Sequence, residues 1–128
     1  MPADPWADKA MLDWCLGGAS VTQPTTRFMG LAGGSPTSVS ASELTAQISG
    51  ASRLAVAFGA AVSPAGSVIN TAALTFSFIS AATVRGFNIY NDSSGGTRLF
   101  FGTTSASSVM VAADTLSFAS GALKITLA

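Results

Sequence analysis

The stretch over residues 84–103, VRGFNIYNDSSGGTRLFFGT, constrains the fold of this chain more than any other. In its first arm Phe87, Ile89 and the ring of Tyr90 stand among small and polar residues, the near-alternation of a half-buried strand. The connection at 91–96, NDSSGG, consists of residues that accept a positive φ or bond their own backbone, and it reads as a turn. The second arm, 97–102, carries Leu99, Phe100 and Phe101 in a row. A continuous apolar run in a short strand implies burial on both faces, or one face turned toward a partner. The spacing predicts a hairpin, and nothing in it resembles a catalytic group.

Around that hairpin the sequence predicts one helix and further strands. Residues 6–16, WADKAMLDWCL, form the helix: Asp4 can cap it, Pro5 fits its first position, Asp8 favours the dipole and Gly17-Gly18 ends it. Leu12 and Leu16 fall at i, i+4, and Met11, Trp14 and Cys15 widen the apolar stripe. Trp6 and Trp14 either seal the domain's own sheet or dock on a neighbour. Strands are expected at 25–31, 53–61, 67–79 and 84–90, then at 97–102, 109–111, 115–119 and 123–127. Residues 32–42 read as loop, Ser40-x-x-Glu43 as a capping box for a short helical turn through Ile48, 63–66 as a turn, and 104–108 as a polar break. Asn70 marks a bend. Eight short strands with turns about every ten residues predict an all-β fold. The expected architecture is an antiparallel β-sandwich, jelly-roll-like or a flattened barrel, with one N-terminal helix in a single domain over 1–128.

Charge decides what kind of surface such a domain presents. Charged residues are 9% of the 128-residue chain, well below the globular norm of roughly 25%, and six basic side chains balance six acidic ones. Near-zero net charge favours association, so a homo-oligomer is expected. The scattered Arg and Lys offer no basic patch, which argues against nucleic acid. The lone Cys15 has no internal disulfide partner, and no apolar run approaches the roughly 20 residues of a membrane span. No secretory h-region opens the chain, and use without export is expected.

The residue types that support catalysis are scarce. There is no histidine, which removes the commonest general base and His-based metal sites. The carboxylates beyond the N-terminal helix, Glu43, Asp92 and Asp114, are isolated in sequence, and Asp92 and Asp114 suit Asx turns. Neither Gly-rich element opens a helix or carries a P-loop Lys. No enzyme activity, cofactor or metal is expected, and a structural role is.

The block GFNIYNDSSGGTRLFFG, followed by DTLSFASGALKITL at 114–127, resembles small virion structural proteins of tailed bacteriophages, a group often labelled tail-fibre or virion structural protein. The earlier chain is similar too: a helix ending in Gly17-Gly18, then Glu43, Gly50 and Arg53, then Asn70-Thr71-Ala72 before Leu74-Thr75-Phe76. Three positions depart from the group's pattern: Ala51 replaces an aromatic, Arg85 a Trp, and Ala113 a Gly. The resemblance implies a non-enzymatic virion protein that docks on the major capsid protein or other virion proteins. Trp6, Trp14, Tyr90, Leu99, Phe100 and Phe101 are the interaction candidates. Without heptads or repeats for a shaft, capsid decoration (a cement protein) is the expected place, with the helix or the 32–42 loop as clamp. The alternatives are a tail-fibre component, or a carbohydrate-binding module using Tyr90 or Trp6 as an aromatic platform.

Overall fold

The computed structural model of the chain describes residues 5–17, 19–20, 25–37, 40–61 and 67–126. Within them lie one helix, α1 (Pro5–Leu16), and eight strands. The strands are β1 (Phe28–Ala32), β2 (Arg53–Ala55), β3 (Ser67–Ile69), β4 (Leu74–Ser77), β5 (Ala82–Tyr90), β6 (Arg98–Met110), β7 (Thr115–Phe118) and β8 (Lys124–Thr126). All pairings are antiparallel. One sheet runs in the order β2-β1-β5-β6, and two-stranded sheets pair β3 with β8 and β4 with β7. The fold is all-β and sandwich-like, and the strands of the described residues form no closed barrel.

The predicted hairpin is the β5–β6 pair at one side of the main sheet, with β6 at its edge. Its alternation places Phe87 and Ile89 opposite Leu31 and Met29 of β1, and all four side chains are buried. Leu74 and Phe76 of β4, with Phe78 just beyond it, Ile48, and Leu123 and Ile125 at β8 complete the same core. Phe118 of β7 meets Phe76 edge-on, with ring centroids 6.3 Å apart, the favoured geometry for aromatic pairs. The two small sheets thus cover the face of the large one that carries the apolar residues.

Several boundaries differ from expectation, each for a local reason. The 67–79 strand is two strands, because the chain bends at Asn70 before β4 begins. The polar break at 104–108 is instead a bulge within β6: Gly86 pairs with Thr103 and Val84 with Ser108, so Arg85 alone faces residues 104–107. The 53–61 strand ends at Ala55, leaving Phe58 in an isolated bridge to Asn70. No helical turn follows Ser40. Glu43 and Ile48 instead form single bridges to Ala32 and Phe78, and the Glu43 carboxylate is bound by an arginine. Pro5 and Gly17, the latter at φ 71°, bracket α1 as predicted. Asp4, the second glycine of the stop (Gly18) and the 63–66 turn lie outside the described residues.

Candidate functional site

The back of the large sheet is polar and covered. On β2, Arg53 stands beside Gly30 of β1, which in turn pairs with Asn88 of β5. A Cβ on Gly30 would lie 2.6 Å from Glu43 Oε2 and 3.4 Å from Arg53 Cγ, so only glycine lets these side chains cross the strand. Arg53 Nε donates to Glu43 Oε2 at 2.7 Å and Nη2 to Oε1 at 3.1 Å, a bidentate pair. Its Nη1 donates to the carbonyls of Asp92 and Gly95 at 3.0 and 2.8 Å. The guanidinium lies over the Tyr90 ring, 3.4 Å from its centroid. Burial works against the Arg53 charge, but the Glu43 hydrogen bonds and charge outweigh it and keep the guanidinium protonated. Burial, with Glu43 second, raises the Tyr90 hydroxyl above its ordinary value against the opposing pull of Arg53 and Arg98.

Arg98 does the same work for the long loop before β2. Its Nη1 donates to Asn88 Oδ1 at 3.1 Å and to the Ser40 carbonyl at 3.2 Å, and Nη2 donates to the Thr37 carbonyl. Asn88 Nδ2 donates to Ala41 O at 2.9 Å, and Arg85 Nη1 to Gly33 O at 2.8 Å. Pro36 closes over Gly86, where a Cβ would come within 2.6 Å of Pro36 Cδ. The loop expected to clamp a neighbouring subunit is therefore bonded along its described residues to its own sheet. A third polar centre sits between the small sheets. Asn70, 1% exposed, donates from Nδ2 to Ala72 O and Ala119 O, and its Oδ1 accepts from Leu123 N at 2.9 Å.

These centres tie loops and turns to the sheets of their own domain. Among the described residues no cluster of three or more His, Cys, Asp or Glu side chains could hold a metal ion, and no helix is long and apolar enough to cross a membrane. The hairpin candidates are mostly interior. Tyr90, Leu99 and Phe101 are buried and Phe100 is half-buried, so the apolar run is covered by the chain itself and does not form an open docking strip. With Arg53 on its ring, Tyr90 offers no platform for a sugar, and Trp6 is half-buried.

The remaining candidate, Trp14, is 76% exposed on α1. Trp6, Ala10 and Asp13 recur at i, i+4 and i+7 and are the half-buried ones among the described side chains of the helix, which packs against β6. The opposite arc carries Met11, Leu12, Trp14 and Leu16, all exposed, with Leu16 at 79%. Met11, Leu12, Cys15 and Leu16 line an open apolar depression along it. The helix thus turns its more apolar side outward, the reverse of an ordinary surface helix. Sequence reasoning placed Met11, Leu12 and Leu16 in the stripe but named only the tryptophans. The stripe was legible; its direction was not.

The features that resemble a virion protein group, Glu43, Arg53, Asn70 and the 91–96 turn, are thus the joints of this fold. A family model described as podophage GP4 fiber I protein gp80 matches residues 3–126, nearly the whole chain. The chain belongs to that family. It is accordingly a phage virion structural protein of a fibre family. No curated protein matches the sequence. The family match spans α1 as well as the β-domain, so the outward helix lies inside the family's shared region.

Proposed function

We propose that this member of the gp80 fibre family is a non-enzymatic component of a podophage fibre, bound to other virion proteins at the tail. The observation that carries this reading is the fibre-family match over residues 3–126. The interior polar groups support it: the Arg53, Arg98 and Asn70 centres bind loops and turns of their own domain. A rigid β-domain with its polar side chains engaged in this way suits a load-bearing part.

Capsid decoration is the second reading, favoured by the compact domain without heptads or repeats. The two differ in copy number and position. Immunogold labelling and quantitative mass spectrometry of purified virions separate them. A small number of copies confined to the tail supports the fibre component, and hundreds of copies over the head supports decoration. Absence from purified virions overturns both.

A further inference from the structure

We propose that the outward face of α1 is a self-association surface that packs against α1 of a second copy of this chain. The inference goes beyond the fibre assignment, since it names the surface and its occupant. It begins from the inverted helix. A 12-residue helix is marginal in water on its own, and among its described side chains α1 turns Trp6, Ala10 and Asp13 inward while Met11, Leu12, Trp14 and Leu16 face solvent. Water is the wrong neighbour for that arc.

Area and charge together choose the occupant. The exposed surface of those four side chains is on the order of 500 Å², so two copies face to face bury at most about 1,000 Å² in total, the size of a weak, reversible interface. The contact is isologous: each arc supplies the apolar surface that the other requires. Lys9 and Asp13 of α1 are joined in an i, i+4 salt bridge, which leaves the single carboxylate of Asp8 as the remaining charge of the helix sequence. With a net charge of zero, two copies approach without long-range repulsion. Helices in contact lie about 8–10 Å apart, which brings the exposed Cys15 of each copy within reach of a short thiol cross-linker.

The test uses the full chain. Sedimentation equilibrium across the micromolar range is expected to show concentration-dependent association, and a short bismaleimide, which alkylates one Cys15 thiol from each copy, to give a covalent dimer. The Trp14→Ser/Leu16→Ser variant is expected to weaken association at least tenfold and lose the covalent dimer. Its thermal midpoint should stay close to wild type, because both side chains are already exposed. Cys15→Ser should abolish cross-linking and leave sedimentation unchanged, which separates proximity from adventitious thiol chemistry. A wild-type chain monomeric throughout the range overturns the proposal. So does association that survives Trp14→Ser/Leu16→Ser, which would assign it to another surface. A monomer that binds virion protein through α1 also overturns it, by naming a different occupant, while leaving the fibre assignment intact.

Discussion

Replacing Arg53 with Met tests whether the Arg53 centre holds the back of the sheet together. The side chains of Arg53 and Glu43 are 7% and 18% exposed, so both charges are largely out of water. Arg53→Met keeps the length and apolar stem but removes four hydrogen bonds: two to Glu43, one to Asp92 O and one to Gly95 O. Glu43 is left as a poorly solvated carboxylate without its partner, and the 91–96 turn loses two anchors. Breaking a buried pair in this way costs about 3–5 kcal/mol, a large share of the roughly 5–15 kcal/mol that stabilises a domain. At roughly 4 °C per kcal/mol for a chain of this size, the thermal midpoint should fall by about 12–20 °C. Thermal denaturation followed by circular dichroism measures the midpoint, and chemical denaturation followed the same way measures the free-energy cost. The double variant Glu43→Leu/Arg53→Met removes the stranded charge as well and should recover at least about 1 kcal/mol relative to Arg53→Met. A cost below about 1 kcal/mol for Arg53→Met, or a double variant no better than the single one, would refute the account.

Three other perturbations probe single residues. Ala113 is exposed at φ 73° in the turn before β7, where an L side chain is strained by about 1–2 kcal/mol; after the extra unfolded-state freedom of glycine, Ala113→Gly should raise stability by about 0.5–1 kcal/mol, and a lowered denaturation midpoint would contradict this. Asn70→Leu strands the carbonyls of Ala72 and Ala119 and the N–H of Leu123, and should cost about 3 kcal/mol or more in the same denaturation assay. Tyr90 is the sole tyrosine, so ultraviolet absorbance titration reads it directly: it should ionise above its ordinary value of 10.0 in the folded chain and near that value in denaturant. Because the folded state holds the proton more tightly, this stability is fully present below about pH 10 and is lost as pH rises through the folded-state value.

The sequence signalled what each segment is more clearly than what it touches. Pro5 and Gly17 marked the ends of α1, and alternation in Phe87/Ile89 and Leu74/Phe76 marked the inward face of β5 and β4, because those features act within a few residues. Eight strands were expected and the described residues form eight, but membership differs. A bend at Asn70 divides one expected strand, and the bulge at 104–107 joins two others across polar residues that locally resemble a break. Glu43 was read as half of a capping box because its partner is ten residues away on another element. Asn70 was read only as a bend because Ala119 and Leu123 lie about fifty residues on. The family resemblance already contained these positions as an unexplained set, and the structure makes them partners. The direction of α1 belongs to the same class of problem. Its apolar stripe, from Trp14 round to Leu16, spans more than half the helix circumference, so periodicity is satisfied whichever side faces the sheet. What decides the matter is the inward triplet Trp6, Ala10 and Asp13, which leaves the wider apolar arc without a covering element from the described residues of its own chain. The proposed self-association would cover that arc and so couple the folding of α1 to assembly.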